Sequence, residues 1–275
     1  MSSNKIVGNW NGKRYNYEDQ EKNTFNFLVS ELKKLNKNFG VVGIKQSFED
    51  EGAILSDVLT MRRITELCDL SMYVKIGGCE AITDINNCVS MGIDYIIPPM
   101  IETPYAFKKF ASAIKNINDT KYYFLCETKT AYENLDSILN CEESSILEGV
   151  IVGRSDFTKS YGLDKTETDS KFILDKVEEI YKKCKSKNFK TTMGGNISKD
   201  SCDFIKKLFD KNLLDKIETR NMVVKLNKKN IKKLENTIRE VILYEIEWLK
   251  FKSLNYSSIG SAYLDRANIL KSRIV

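Results

Sequence analysis

The stretch EGVIVGRSDFTKSYG, Glu148 to Gly162, begins with a hydrophobic run and places Arg154 and Asp156 directly after it. A continuous apolar run is typical of a strand covered on both faces, which is the usual state of strands in a parallel sheet. Charged residues at the carboxyl end of such a strand usually point into a crevice where α/β proteins bind their ligands. The stretch therefore predicts a buried parallel strand that ends at a functional site.

Strand-like and helix-like segments alternate along the chain from about Phe39 onward. Short runs rich in β-branched residues, such as FGVVGIKQ (39–46), are followed by amphipathic stretches, such as AILSDVLTMRRITELC (53–68). Repeated strand–helix units predict a parallel sheet with helical crossovers. Seven strands are predicted, the last in KIETRNMVV (216–224). An eighth could lie in NKIVGNWNG (4–12), which would complete a (β/α)₈ TIM barrel of the α/β class.

The length and composition fit one globular domain. With 275 residues, of which 42% are hydrophobic, the chain can bury a substantial core. No linker, repeat or low-complexity segment divides it. We therefore predict a single barrel domain over residues 1–251 and a helical C-terminal extension over residues 252–275.

Composition and charge exclude several classes of protein. No apolar run approaches the length that spans a bilayer, and the first residues lack the hydrophobic core of a signal peptide, so we expect a cytoplasmic protein with no membrane partner. The 43 basic and 38 acidic residues are interspersed. Even the densest lysine stretch, 225–236, is typical of a solvated helix face, so no nucleic-acid partner is expected. The seven cysteines form no C-x-x-C pair and their odd number argues against a complete disulfide framework, so most of them are expected to be small core residues.

Histidine is absent from the sequence. Its absence removes the commonest general base and a common metal ligand. Any chemistry must therefore use carboxylates, lysines, arginines, thiols, hydroxyls or a bound ion.

Polar or glycine residues follow every predicted strand. These residues are Lys45, Glu49, Lys75, Gly77, Gly78, Glu80, Glu102, Glu127, Arg154, Asp156, Gly194, Gly195, Asn196, Glu218 and Arg220. In a parallel barrel the carboxyl ends of all strands lie on one face, so these groups are expected to converge on one pocket.

The residue types in this set indicate a metal and a small anion. Glu127 and Asp156, on adjacent strands, would supply the hard oxygen ligands that Mg²⁺ takes. Lysines and arginines nearby would neutralise an anionic substrate, and glycine pairs would let the backbone approach it. A metal that polarises a 2-oxo acid stabilises the enolate at its methyl carbon, so enolate chemistry is expected.

Five segments between residues 39 and 224 carry more specific motifs. They are VVGIKQSFEDEGA, KIGGCEAITDI, DYIIPPMIETPYAFKKF, FLCETKTAYENLDSIL and GVIVGRSDFTKSYGL. Together they resemble the HpcH/HpaI aldolase and citrate lyase β-subunit family, which belongs to the phosphoenolpyruvate/pyruvate-domain TIM barrels. The most specific part is an ET strand end followed about thirty residues later by G-x-x-D and Phe or Leu.

The resemblance implies roles for particular residues. Glu127 and Asp156 would be the ligands of Mg²⁺ or Mn²⁺, and Lys75 stands where the family commonly has an arginine that holds the substrate carboxylate and carbonyl. A lysine keeps the charge of that arginine but loses its bidentate fork. Tail helices of this superfamily often pack on a neighbouring subunit, which suggests a homo-oligomer.

The sequence departs from the family at the proton-transfer base. Ordinary aldolases of the family often carry a histidine in a GEH motif, and the equivalent stretch here is KQSFEDEG. Lys45, Glu49 or a metal-bound water would have to replace it. Arg154 is a further catalytic candidate, with a structural salt bridge as the alternative. The predicted substrate-binding residues are Lys75, Gly77, Gly78, Glu102, Gly195, Asn196 and Arg220.

These residues and the resemblance predict a metal-dependent carbon–carbon lyase or aldolase, or the reverse condensation, acting through the enolate of pyruvate or a related 2-oxo acid. An acyl-CoA partner stays open. Two alternatives remain at this point. One is a non-catalytic relative that binds metal and oxo acid, and the other is a phosphoenolpyruvate-using transferase or mutase of the same superfamily.

Overall fold

The computed structural model of the chain describes residues 7–10, 13–49, 51–255 and 260–274, with side-chain environments for 23–49, 51–253 and 262–274. The strands are β1 (Val7–Trp10), β2 (Lys13–Asn16), β3 (Val41–Ser47), β4 (Ser71–Lys75), β5 (Tyr95–Ile97), β6 (Lys121–Cys126), β7 (Leu147–Gly153), β8 (Lys190–Gly194), β9 (Lys216–Glu218) and β10 (Met222–Lys225). The α-helices are α1 (Tyr17–Phe39), α2 (Leu55–Leu67), α3 (Ile82–Ser90), α4 (Pro104–Ala113), α5 (Lys129–Glu133), α6 (Leu135–Leu139), α7 (Arg154–Ser160), α8 (Lys171–Ser186), α9 (Cys202–Asp210), α10 (Leu234–Asn255) and α11 (Gly260–Lys271).

Eight strands, β3 to β10, form a closed barrel in the order β10-β3-β4-β5-β6-β7-β8-β9. From β3 to β9 each strand is parallel to its neighbour. In the register of β3 and β4, Lys45 lies opposite Tyr73 and Ser47 lies opposite Lys75. β10 is antiparallel to both β3 and β9. The predicted eight-stranded α/β barrel is confirmed, but its last strand runs in the opposite direction to the other seven.

The eighth barrel strand does not come from the N-terminal segment, and this part of the prediction is wrong. Within NKIVGNWNG, Val7–Trp10 pairs antiparallel with Lys13–Asn16 in a separate two-stranded sheet, and residues 4–6 and 11–12 lie outside the described residues. The sequence held a signal for this hairpin, because Asn-Gly at 11–12 is the dipeptide that tight hairpin turns prefer.

The eighth strand comes instead from KIETRNMVV, which divides into β9 and β10 around residues 219–221. A three-residue connection suffices for an antiparallel return, whereas a parallel strand would need a crossover of about a dozen residues or more. The short connection therefore closes the barrel with an antiparallel strand.

The core has two parts. The larger part lies between the barrel and its helices, and a smaller one lies inside the barrel around Tyr73 and Tyr123. Gly43 and Gly149 leave room for these rings, because an added Cβ would lie 2.6 Å and 2.8 Å from them. The Lys216 amino group, at the start of β9, donates to Tyr123 Oη at 2.8 Å. Aromatic packing thus fills the barrel below the carboxyl ends of its strands.

The predicted helical C-terminal extension is confirmed by α11, which packs along α10 of the same chain. α10 also packs against α1 and runs through residue 251. The predicted division between residues 251 and 252 therefore falls inside a helix. None of the helices in the described ranges is long and apolar enough to cross a membrane.

Candidate active site

A cavity of about 350 Å³ lies at the carboxyl ends of the barrel strands. Seven of the predicted site residues line it: Lys45, Lys75, Glu127, Asp156, Gly195, Asn196 and Arg220. They come from β3 and β4 and from the segments after β6, β7, β8 and β9, so the convergence expected from a barrel brings together residues far apart in sequence.

Glu127 combines burial with a free carboxylate oxygen. It directly follows β6 and its side chain is only 3% exposed. Oε2 lies 3.4 Å from Lys75 Nζ, whereas Oε1 is buried and has no hydrogen-bond partner among the described residues. Burial raises the pKa of Glu127, Lys75 opposes this rise, and the nearby Asp156 adds to it. A cation at Oε1 would stabilise the ionised form.

Asp156 is the second carboxylate of the pair and lies in the first turn of α7. Its side chain is 42% exposed and Oδ1 lies 3.3 Å from Lys159 Nζ. No group of three or more histidine, cysteine, aspartate or glutamate side chains that could hold a metal occurs in the described part of the chain. Two carboxylates still fit Mg²⁺, which usually keeps several waters and takes one or two protein carboxylates.

Lys45 is held in an ion pair with Glu218, a strand-end residue that was expected in the pocket but was given no role there. Its Nζ lies 2.6 Å from Glu218 Oε1, and the two side chains are 15% and 5% exposed. Glu218 ends β9 and reaches over Gly194, where an added Cβ would lie 2.8 Å from Oε1. Lys45 thus faces the cavity as a paired ammonium group.

Arg154 does not line the cavity, and its contacts agree with the structural salt bridge that was the alternative to a catalytic role. The side chain is fully buried and pairs with Asp169. Its Nε donates to the Gly194 carbonyl at 3.3 Å, and Nη2 donates to the Gly195 carbonyl at 2.9 Å and to Ser201 Oγ at 3.2 Å. Burial lowers the pKa of Arg154, and Asp169 opposes this shift. The guanidinium fastens the loop after β8 to the start of α7.

Glu49, Gly77, Gly78 and Glu102 are also absent from the cavity lining. Glu49 is exposed. The Gly77 amide donates to an Asp84 carboxylate oxygen at 2.7 Å. Glu102 accepts a hydrogen bond of 2.6 Å from the Thr128 hydroxyl and supports the start of α5. Their predicted binding or catalytic roles therefore have no counterpart in the lining of the cavity.

Glu51 is a cavity residue that sequence reasoning missed. It lies two residues after Glu49, in the stretch that lacks the family histidine. Its side chain is 10% exposed, Oε1 lies 2.8 Å from Arg220 Nε, and Oε2 accepts from Asn221 Nδ2 at 3.0 Å. Burial raises the pKa of Glu51 to about 7, although Arg220 and Lys45 act in the opposite direction.

Four further lining residues had no predicted role: Ser47 at the end of β3, and Glu245, Arg266 and Arg273 from the C-terminal helices and the turn after them. The Ser47 hydroxyl is buried and has no hydrogen-bond partner among the described residues. Glu245 is fully buried on α10 and accepts from the Asn221 amide at 2.6 Å. Glu245 is one of two acids in the otherwise apolar run VILYEIEW, and this was the signal for it, whereas nothing local marked the two arginines.

Three solved structures share this fold. A citrate synthase variant, SbnG, matches with a TM-score of 0.52 at 15% identity over 68% of this chain and 88% of that chain. An HpcH/HpaI aldolase/citrate lyase family protein from Burkholderia cenocepacia J2315 matches with a TM-score of 0.56 at 11% identity over 72% and 82%. RipC from Yersinia pestis matches with a TM-score of 0.50 at 14% identity over 71% and 88%.

No model of a known protein family and no curated protein sequence matches the chain. Structural matches at 11% to 15% identity establish the fold, while function has to be argued from the site. The resemblance drawn from the strand-end motifs is thereby confirmed for the architecture. The chain has the closed α/β barrel fold shared by SbnG, RipC and an HpcH/HpaI aldolase/citrate lyase family protein.

Proposed function

We propose that the protein is a metal-dependent carbon–carbon lyase or aldolase that acts through the enolate of pyruvate or a related 2-oxo acid, in the cleavage or the condensation direction. The observation that carries the proposal is the pair Glu127 and Asp156 in the lining of a cavity that also presents Lys45 and Lys75. The shared fold with aldolase/citrate lyase and citrate synthase structures agrees with this class of reaction.

Glu127 and Asp156 would hold Mg²⁺ or Mn²⁺. The unpartnered Oε1 of Glu127 supports this assignment, because a buried carboxylate oxygen without a donor is costly unless a ligand satisfies it. The metal would act as a Lewis acid that polarises the substrate carbonyl. Lys75, beside Glu127, would bind the substrate carboxylate through charge, as a lysine can without the bidentate geometry of an arginine.

Glu51 is the strongest candidate for the proton-transfer base in this chain. General bases work best when their pKa lies near the working pH, and the pKa of Glu51 is about 7. Lys45 is a weaker candidate, because its ammonium group is stabilised in its protonated form by the ion pair with Glu218. Arg220 and Asn221 would orient the Glu51 carboxylate towards the cavity.

Exchange of the methyl protons of pyruvate in D₂O, followed by proton NMR, tests the proposal. We expect the methyl signal to disappear when Mg²⁺ or Mn²⁺ is present, and to persist with EDTA. Glu127→Ala should reduce the exchange rate by about a hundredfold or more, since it removes one of two metal ligands. The exchange of pyruvate methyl protons can be measured without knowing which second substrate the enolate attacks.

Glu66→Gln is a matched control, because Glu66 lies on α2, is 58% exposed and pairs across one turn with Arg62. It should leave the exchange rate unchanged. If the protein binds oxalate in a metal-dependent way but never exchanges pyruvate protons, the catalytic proposal fails and a binding protein with the same site is the better conclusion. The acyl-CoA partner, the homo-oligomer and the cytoplasmic location stay predictions from the sequence.

A further inference from the structure

Two arginines of the C-terminal helix face the same cavity as the carboxylate pair. Arg266 and Arg273 are seven residues apart, so they lie on one face of α11 and the turn that follows it. Leu270, between them on this face, is 2% exposed and anchors the helix in the core. Both arginines line the cavity that contains Glu127 and Asp156.

The charges that line the cavity do not balance. Seven cationic and five acidic side chains line it. Four ion pairs join eight of them: Lys45–Glu218, Lys75–Glu127, Lys159–Asp156 and Arg220–Glu51. The remaining groups are the cations Lys165, Arg266 and Arg273 and the acid Glu245.

Glu245 does not form an ion pair with either arginine. Its carboxylate accepts hydrogen bonds from the Thr219 hydroxyl and the Asn221 amide instead. Glu245 does attract Arg273 at longer range, while burial lowers the pKa of the Arg273 guanidinium. Within the described ranges, neither Arg266 nor Arg273 has a carboxylate within ion-pair distance.

A partly buried guanidinium without a carboxylate partner is costly, and an anion from solution relieves that cost. Guanidinium groups bind carboxylate and phosphate oxygens with two parallel hydrogen bonds. Glu127 and Asp156 suit a metal that binds the carboxylate and carbonyl oxygens of a 2-oxo acid. The two arginines can therefore bind a different group of the same ligand.

We propose that Arg266 and Arg273 bind a second, distal anionic group of the substrate, so that the enzyme selects 2-oxo acids, or adducts of them, that carry a carboxylate or phosphate-like group away from the oxo-acid end. This inference rests on the proposed function. It assigns specificity to a helix outside the barrel, and Lys165 adds positive charge at the same cavity.

Calorimetric binding at low salt with Mg²⁺ tests the inference with two probes of equal chain length. 2-Oxoglutarate carries a distal carboxylate, and 2-oxopentanoate ends in a methyl group. We expect the wild-type protein to bind 2-oxoglutarate about tenfold more tightly or better, as an added charged hydrogen-bonded contact would produce. Arg266→Gln and Arg273→Gln should each reduce this preference and leave the affinity for oxalate unchanged. A comparison of 2-oxoglutarate with 3-phosphonopyruvate then distinguishes a carboxylate from a phosphate-like distal group.

Lys271→Gln is the matched control, because it removes one charge from the same helix at an exposed position. It should keep the full preference. Thermal denaturation of each variant separates a loss of folding from a loss of binding. If the wild-type protein binds oxalate with Mg²⁺ but shows no preference between the two probes, or if the arginine variants retain the preference, this inference is overturned while the proposed function stands. If oxalate does not bind with the metal, the proposed function itself fails.

Discussion

Single side chains decide how the cavity is charged. Glu127, Glu51 and Glu245 are all buried enough for their pKa values to be raised, and each is stabilised differently. Glu127 has a neighbouring lysine, Glu51 has an arginine and an amide, and Glu245 has a hydroxyl and a backbone amide. A group's immediate donors therefore determine whether it is available for a metal, for a proton or only for structure.

The pH dependence of proton exchange tests the assignment of Glu51. Its pKa is raised by burial to about 7, so the carboxylate that accepts a proton is populated above that pH. We expect the exchange rate to rise with pH up to about 7 and then level off. In Glu51→Gln the rate should be low and this rising limb should be absent. An unchanged pH profile in the variant would rule out Glu51 as the base.

Replacement of Arg154 tests its structural role. Arg154→Met leaves Asp169 and two backbone carbonyls without their donor, and breaking a buried ion pair costs about 3 kcal/mol of folding free energy. Urea denaturation should show a loss of this order. Arg239→Met is the control, since Arg239 is 52% exposed and pairs with Glu240, so its change should stay within about 0.5 kcal/mol. Equal stability of the two variants would contradict the structural role.

At the scale of secondary-structure elements, the turns after the strands place the carboxylates. Thr103 and Thr128 are N-cap residues whose hydroxyls accept from Ala106 N and Ala131 N, each at 3.1 Å. The Thr128 cap starts α5 two residues after the end of β6, whereas the Thr103 cap starts α4 six residues after the end of β5, and each fixes where the preceding segment turns into its helix. Glu127 directly precedes one of these caps.

Gly195 controls the contact between the loop after β8 and the start of α7, which bears Asp156. It has a φ of +82°, and a Cβ at this position would lie 2.4 Å from Ser155 N. Gly195→Ala should therefore displace the first turn of α7 and weaken Mn²⁺ binding, as measured by electron paramagnetic resonance. It should also cost more than the ~1 kcal/mol expected for backbone strain alone.

Gly162→Ala separates the two effects. Gly162 also has a positive φ, +72°, but a Cβ there would meet nothing within 4 Å. This control should show a modest loss of stability and normal Mn²⁺ binding. If Gly195→Ala behaved in the same way as Gly162→Ala, the close approach to α7 would not matter for the site.

At the scale of the whole molecule, the C-terminal helices are tied to the barrel by a buried cation. Lys252 on α10 lies 2.8 Å from Asp57 on α2, with both side chains 4% exposed. Its ammonium group also lies 4.2 Å from the centre of the Tyr263 ring on α11. One lysine thus joins three helices and holds the tail in the position from which its arginines reach the cavity.

Lys252→Met is expected to lower the free energy of unfolding by about 3 kcal/mol, because Asp57 would be left buried without its cation. Backbone amides of α11 should then exchange with solvent faster than in the wild-type protein. Lys250→Met, at a 45% exposed position on α10, should change neither quantity by much. Normal protection of α11 in the Lys252 variant would show that the tail is held by apolar packing alone.

Most of the fold could be predicted because its signals are local. A buried strand requires a continuous apolar run, and an amphipathic helix requires a 3.6-residue period, so both are visible within a dozen residues. A barrel places the carboxyl ends of its parallel strands on one face, and this is why Lys45, Lys75, Glu127 and Asp156 could be predicted to line the cavity. Arg154 occupies such a position too, but its long side chain turns to Asp169, a choice that depends on packing.

The sequence by itself determined the alternation of strands and helices, the carboxyl-end placement of Glu127 and Asp156, and the absence of a histidine base. Only the tertiary structure decided that β10 closes the barrel antiparallel, that Glu51 enters the cavity instead of Glu49, and that Arg266 and Arg273 reach it from the tail. The physical reason is the range of the interactions. Periodicity and strand ends depend on neighbours in sequence, whereas strand direction at the closure, side-chain burial and helix docking depend on contacts between segments up to about two hundred residues apart.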